Sequence, residues 1–171
     1  DISAAQEADV LIVSIDSQGL RALFDRDLRH LELKNKVIVL CMKGIEIGTG
    51  KRLSEIVKEK TSPTNSVAVW LGPGHVQEFY HGRPNCMVID SENEDYKRYL
   101  ISEFSGDLIR FYYGKDLIGN EIGAAAKNVI GIAAGVLDGV GLPSLKGPLM
   151  ARGAREVARL IAAMGGSELS A

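Results

Sequence analysis

The sequence predicts an α/β fold, a doubly wound parallel sheet followed by the first helices of an all-α domain. Short apolar runs alternate with amphipathic stretches from Asp9 to Gly114, and beyond Gly114 no convincing strand follows. Runs that are apolar throughout are typical of parallel strands covered on both faces. The two patterns divide the chain into a sheet-containing part, residues 1–115, and a helical part, residues 116–171.

Five apolar runs rich in β-branched and aromatic residues are the predicted strands: 10–15, 37–41, 67–71, 87–89 and 109–113. The first three are almost continuously apolar, as strands buried on both faces are. With helical stretches between them, they form a βαβ pattern, which favours parallel strands joined by crossover helices.

Three candidate helices lie between these strands. Each carries apolar residues three or four positions apart, the spacing that forms one face of a helix. The first follows the capping residue Ser17 and carries Leu20, Leu23, Phe24, Leu28 and Leu31; the second carries Leu53, Ile56 and Val57; the third follows Ser91 and carries Tyr96, Tyr99, Leu100 and Phe104.

The helical part contains two stretches, residues 118–139 and 147–166, joined by a turn rich in Gly and Pro. The second stretch bears Arg152, Arg155 and Arg159 with Glu156 between them, and this spacing predicts a solvated face with an internal ion pair. The chain begins with Asp1 and ends just after a helix, so we expect it to be incomplete at both ends.

Composition excludes several classes of protein. With 20 basic and 22 acidic residues, the net charge of -2 gives no global attraction to nucleic acid or to an anionic membrane. Cys41 and Cys86 are too few for a disulfide framework, and both are expected to be buried, reduced thiols in a cytoplasmic protein. No signal peptide, membrane insertion or metal site is expected.

Two turns that follow strands are candidate ligand sites, because ligands of open parallel sheets bind at the carboxyl ends of the strands. Lys43 and Gly44 follow the second strand, and Gly72, Pro73 and Gly74 follow the third. Each turn is equally well explained without a ligand. The first can be a solvated loop lysine that precedes a glycine, and the second can be an ordinary Gly-Pro-Gly turn.

Lys127 and Asn128 interrupt a helix otherwise built from Gly, Ala, Ile and Val. A helix with such small side chains is usually central in its domain, and a lysine within it is expected to project into a cleft, where burial tunes it for proton transfer. The alternative is a lysine that reaches along the helix edge toward Glu121 or Asp138. Lys43 and Lys127 facing one cleft would suit an anionic phosphate or carboxylate.

The chain resembles NAD(P)-dependent glycerol-3-phosphate dehydrogenase, in its bacterial form, over nearly its whole length. The matching stretches, in order, are ADVLIVSIDSQGLR, CMKGIEIGTGKRLSEIVKE, WLGPGHVQE, YGKDLIGNEIGAAAKNVIGIAAGVLDGVG and LMARGAREVARL. The resemblance implies a Rossmann-type NAD(P)-binding domain and an all-helical substrate domain. It also implies interconversion of glycerol 3-phosphate and dihydroxyacetone phosphate, which feeds glycerophospholipid synthesis.

The resemblance also implies roles for seven residues. Lys127 would be the catalytic proton acceptor or donor. Substrate binding would involve Lys43, Gly72, Gly74, Lys127 and Asn128; cofactor binding would involve Gly19, Lys43 and Val76. The cofactor would be NAD or NADP, the substrate a small phosphorylated molecule, and a homodimer is consistent with the family.

The chain departs from the family pattern at three places. Asp16 stands where the family usually has Pro, and Gly74 where it often has Ser or Thr. The chain also lacks, after a first strand, the glycine-rich fingerprint that cradles a dinucleotide pyrophosphate. Two alternatives therefore stay open: a related two-domain dehydrogenase acting on another small hydroxy acid or phosphate, and a non-catalytic fragment.

Overall fold

A computed structural model describes residues 2–171, and its centre is one five-stranded sheet in the order β1-β2-β3-β4-β5. The predicted α/β class is confirmed. The strands are Val10–Val13 (β1), Val37–Leu40 (β2), Ser66–Leu71 (β3), Asn85–Ser91 (β4) and Ile109–Tyr113 (β5). The helices are Leu20–Ala22 (α1), Leu53–Lys60 (α2), Val76–Tyr80 (α3), Glu94–Phe104 (α4), Leu117–Gly139 (α5) and Lys146–Ala163 (α6).

Strand β2 is buried on both faces, as its unbroken apolar run predicts. Successive side chains of a strand point to opposite faces. Ile38 lies in the apolar cluster that contains Ile56 of α2, whereas Val39 lies in the cluster that contains Leu100 of α4. The sheet is therefore covered by helices on both sides.

The prediction that all strands are parallel is wrong for β4 and β5, which both run opposite to β1, β2 and β3. Strand β4 pairs antiparallel with β3, and the other three strand pairs are parallel. The link between β3 and β4 explains the reversal. Its only helix, α3, has five residues and rises about 7.5 Å, whereas the seven-residue β4 extends about 23 Å. The link holds only residues 72–84, close to the dozen or so that a crossover between parallel strands needs, and its helix is too short to run back along the whole strand.

The prediction of a single α-helix from residue 20 to 31 is wrong, because the segment contains three short helical turns of different types. A 3-10 turn (Ser17–Gly19), one α-helical turn (α1) and a wide π turn (Leu23–Asp27) follow one another, and Asp16 rather than Ser17 caps them. The π turn brings the Leu28 amide to the Leu23 carbonyl at 2.9 Å. This wider turn keeps Leu20, Phe24 and Leu28 buried against the sheet.

The expectation of a buried thiol is also wrong for Cys86, which is exposed, while Cys41 is partly buried; both are free thiols. Cys86 lies near the start of β4, where the cover on the strand is incomplete. Burial raises the pKa of the Cys41 thiol above its usual range.

Helices α5 and α6 pack against each other, with Ile130 of α5 against Gly153 of α6. The arginine face of α6 is exposed, and Arg159 pairs with Glu156 at 3.1 Å as predicted. Helix α5 is long and apolar enough to cross a membrane by length and composition, a test that core helices of soluble proteins also pass.

Candidate functional site

A cleft of about 410 Å³ lies between the carboxyl end of β3 and the helices α5 and α6. Its wall combines two lysines, the start of the Gly-Pro-Gly turn and one face of α5. The residues that the argument uses are Lys43, Gly72, Gly119, Asn120, Lys127 and Ser170.

The turn that carries Lys43 is fixed by close contacts to the turn after β1. At Gly44, where φ is +154°, a Cβ would lie 2.7 Å from the Ser17 hydroxyl oxygen, so glycine allows the two turns to approach. The Gln18 side chain donates to the Ile45 carbonyl at 3.0 Å and accepts from the Ile47 amide at 2.9 Å. The backbone beside Lys43 is therefore held without any contact from Lys43 itself.

The Gly-Pro-Gly turn rests on Met87 of β4. A Cβ at Gly72 would lie 3.0 Å from the Met87 Cα, and a Cβ at Gly74 would lie 3.0 Å from the Met87 Cε. The Trp70 indole N–H donates to the Met87 sulfur at 3.0 Å and fixes this side chain. The absence of a side chain at Gly74 thus leaves room for the methionine.

Lys43 and Lys127 lie side by side in the cleft. Burial lowers the pKa of the Lys43 ammonium, and the adjacent positive charge of Lys127 lowers it further. Lys127 itself is exposed, which contradicts the expectation of a buried lysine on a central helix. The two acidic residues considered as ion-pair partners of Lys127 bind other cations: Glu121 binds Arg52, and Asp138 binds Lys146. Among residues 2–171 neither lysine has an ion-pair partner, and two such cations facing one cleft suit a multiply charged anion.

Helix α5 is fastened to the sheet-containing part through Glu121, which is 6% exposed. Arg52 donates to Glu121 Oε2 at 2.6 Å, and the Ser54 hydroxyl and backbone amide donate to the same carboxylate at 2.6 and 2.9 Å. A buried carboxylate with three donors, one of which is a cation, is fully satisfied. This contact fixes the direction of the helix that carries Lys127.

The structure brings three of the seven predicted site residues together on the cleft: Lys43, Gly72 and Lys127. Gly74 lies just beyond the lining, against Met87. The others are placed outside the lining: Asn128 is exposed beside Lys127, Val76 is 75% exposed at the start of α3, and Gly19 lies on the turn after β1.

Sequence reasoning missed two polar residues on the cleft, Asn120 and Ser170. Asn120 lies seven positions before Lys127, a spacing that places both on one face of a helix and could have revealed it. Ser170 is held by Asp116, whose Oδ2 accepts from the Ser170 hydroxyl at 2.7 Å and from the Ser167 amide at 2.7 Å. No local sequence pattern indicates that contact.

Comparison with protein families gives two matches. Residues 2–97 match the family described as the N-terminus of NAD-dependent glycerol-3-phosphate dehydrogenase, and residues 116–171 match the C-terminus of the same family. The first match alone covers more than half of the chain.

Individual relatives agree. Glycerol-3-phosphate dehydrogenase (NAD(P)+) from Prosthecochloris aestuarii is 37% identical and matches 98% of this chain and 51% of its own length. The corresponding protein from Clostridium botulinum strain Eklund 17B is 36% identical, with 96% of this chain and 49% of that protein matched. The chain spans about half the length of the curated relatives it matches.

Among solved structures, the glycerol-3-phosphate dehydrogenase of Coxiella burnetii superposes with a TM-score of 0.89 at 26% identity, over 99% of this chain and 52% of that one. The glycerol-3-phosphate dehydrogenase of Saccharomyces cerevisiae, at 19% identity and a TM-score of 0.80, shares the fold. Sheet, helices and cleft accordingly have the arrangement of a Rossmann-type domain followed by helices of a second domain. The chain belongs to the NAD-dependent glycerol-3-phosphate dehydrogenase family.

Proposed function

We propose that the protein containing this chain interconverts glycerol 3-phosphate and dihydroxyacetone phosphate with NAD or NADP. The observation that carries the proposal is the pair of adjacent ammonium groups, Lys43 and Lys127, on one cleft. Their mutual repulsion is relieved by a phosphate, and a lysine within reach of a carbonyl oxygen can transfer a proton to it.

We assign the dinucleotide to the turns that follow β1 and β2. These turns stand at the carboxyl ends of adjacent parallel strands, where dinucleotides bind in such sheets. Gly44 lets them approach closely, and Gly19, Lys43 and Val76 are the residues proposed to contact the cofactor. When bound, the nicotinamide supplies or accepts the hydride.

The chain's own residues then have separate tasks. Lys43 and the turn around Gly72 and Gly74 hold the substrate, and Asn128, which is exposed next to Lys127, is proposed to join them when the substrate is bound. In the reductive direction the Lys127 ammonium donates one proton to the carbonyl oxygen as the hydride reaches the carbonyl carbon. In the oxidative direction the neutral amine accepts the hydroxyl proton. Because Lys127 is exposed, it exchanges that proton with solvent.

The proposal also covers the division of the chain into domains, the location of the protein, its metabolic role and its oligomeric state. We propose the division into residues 1–115 for cofactor binding and 116–171 for substrate binding. A cytoplasmic location is supported by the resemblance and by the two free thiols. A role in glycerophospholipid synthesis and a homodimer are supported by the resemblance alone.

A steady-state assay tests the function. The protein that contains this sequence is expected to oxidise NADH or NADPH when dihydroxyacetone phosphate is added. Lys127→Ala is expected to lower kcat by about 100-fold or more, because it removes the proton donor, while dinucleotide binding is retained. Lys146→Ala is the matched control, since Lys146 pairs with Asp138 and stands outside the cleft lining.

Three outcomes would contradict the proposal. Turnover of another hydroxy acid or keto phosphate, without turnover of dihydroxyacetone phosphate, would favour the related dehydrogenase. Absence of both turnover and dinucleotide binding would favour a non-catalytic role. Normal turnover in Lys127→Ala would remove the assigned proton transfer.

A further inference from the structure

Asn120 shares one face of α5 with Lys127, and both line the cleft. Seven residues separate them, two helical turns with a rise of about 10 Å. Side chains of a helix lean toward its N-terminus, so the long Lys127 side chain reaches back toward Asn120. The two polar groups therefore border the same stretch of cleft.

The amide of Asn120 has a fixed orientation. Its Nδ2 donates to Asp90 Oδ2 at 2.7 Å, and that oxygen also accepts from the Asp116 amide at 3.0 Å. Asp90 is 1% exposed and pairs with Lys97 at 3.1 Å. A carboxylate only accepts hydrogen bonds, so the NH2 group of Asn120 must face it. The carbonyl oxygen, Oδ1, is the polar atom left for the cleft.

The support behind Asp90 is buried. Burial opposes the charge of Lys97, but hydrogen bonds to Glu94 and Asp90 outweigh that effect and raise the pKa of the ammonium. Lys97 also donates to the Gly114 carbonyl at 2.7 Å. A Cβ at Gly114 would lie 2.3 Å from the Asp90 side chain, so this glycine allows Asp90 to reach Asn120. The amide is anchored by a buried ion pair.

Asn120 Oδ1 is an uncharged acceptor in a cleft whose two charged side chains, Lys43 and Lys127, are donors. Lys43 and Lys127 provide ammonium groups, and the Ser170 hydroxyl already donates to Asp116. Among residues 2–171, Oδ1 has no donor of its own. Such an oxygen attracts a hydroxyl group and repels the oxygens of a phosphate.

We propose that Asn120 is a specificity-determining residue whose Oδ1 accepts a hydrogen bond from the substrate hydroxyl that is neither phosphorylated nor reacting. This inference rests on the proposed function. The lysines then take the phosphate and the reacting oxygen, and Asn120 takes the terminal hydroxyl of dihydroxyacetone phosphate. A site built to bind a hydroxyl discriminates against the analogue that lacks it, because its acceptor is then left unpaired.

The test compares dihydroxyacetone phosphate with acetonyl phosphate, which has the same phosphate and carbonyl but lacks the terminal hydroxyl. The protein that contains this sequence is assayed with one nicotinamide cofactor, and kcat/KM is measured for both. We expect a preference of about 10-fold or more for dihydroxyacetone phosphate. Asn120→Leu, similar in size but without an acceptor, is expected to bring the ratio close to one.

The ratio separates the possible results. If Asn120→Leu lowers kcat/KM equally for both substrates, Asn120 has a structural role only and the inference is overturned, while the proposed function stands. If the ratio of the two kcat/KM values is the same in Asn120→Leu as in the unaltered protein, the inference is likewise overturned and the proposed function stands. If neither substrate is turned over by the unaltered protein, the proposed function and the inference both fail. Asn120→Ala, which removes the acceptor without adding bulk, gives the same ratio test if Asn120→Leu does not fold.

Discussion

The two halves of α5 differ in what holds them. The first half, residues 117–128, includes Ile122, which is fully buried, and Glu121, which is bound to Arg52. The second half exposes Val129 and Ile132, each at 70%. Lys127 stands where the first half gives way to the second. A helix can thus position a reactive side chain from one anchored end, with little support at the side chain itself.

The largest effect is expected at the anchor. Glu121→Ala leaves the buried Arg52 with only Glu55, at 3.5 Å, as an ion-pair partner and should lower the free energy of unfolding by about 3–5 kcal/mol, measured by urea denaturation. The double variant Arg52→Met with Glu121→Met should recover part of the loss, because no unpaired charge remains. A loss below about 1 kcal/mol in the single variant would mean that this ion pair does not anchor α5.

A matched pair of isoleucines measures the difference between the halves directly. Ile122→Ala creates a cavity and should cost about 2–5 kcal/mol, whereas Ile132→Ala should change stability by no more than about 0.5 kcal/mol. Both are read from chemical denaturation curves. Equal costs would show that the second half is covered in solution.

Substituting one glycine in each half of α5 is expected to give a smaller difference in stability. Gly131 has no atom within 4 Å of a Cβ built on it, so Gly131→Ala should stabilise the helix by about 1 kcal/mol. Gly119→Ala should destabilise, because its Cβ would lie 2.3 Å from Asp116 Oδ2. Thermal unfolding of the two variants tests the opposite signs, and a stabilising Gly119→Ala would contradict the close packing at the anchored end.

The smallest effect concerns pH at the start of α5. Burial raises the pKa of Asp116, but hydrogen bonds from the Gly119, Ser167 and Ile118 amides and the Ser170 hydroxyl outweigh it and hold the pKa below 3.8. Its stabilisation is therefore present above pH 3.8 and is lost as the pH falls through the lowered pKa.

Urea denaturation over a pH series compares the unaltered protein with Asp116→Asn. The difference in free energy of unfolding between the two should shrink as the pH falls below about 4. A difference that stays constant down to pH 2 would contradict the assignment.

Strong local patterns were sufficient for most of the fold. The continuous apolar run of β2 and the spacing of Leu53, Ile56 and Val57 predict a buried strand and a helix, and both are present. The direction of β4 was not predictable from its own residues, since it depends on the length of the link that precedes it. The π turn at Leu23–Asp27 has the same apolar spacing as an α-helix and differs only in hydrogen bonding.

The candidate site was predictable where chemistry is unusual for its surroundings, as with Lys127 among small apolar residues. Asn120 escaped notice, and Glu121 was considered only as a partner of Lys127, because polar residues near a helix start are ordinary in sequence. Their roles come from Asp90 and Arg52, which are 30 and 69 positions away. Contacts between residues so far apart in the sequence produce no periodic pattern from which they could be predicted.

Trp70 is the one tryptophan of the sequence, and its place gives the cleft an optical signal. Its indole contacts Met87, which in turn supports Gly72 on the cleft wall. A ligand that shifts the Gly-Pro-Gly turn moves the sulfur next to the indole, so the intrinsic fluorescence of the protein should report occupation of the cleft without an added label.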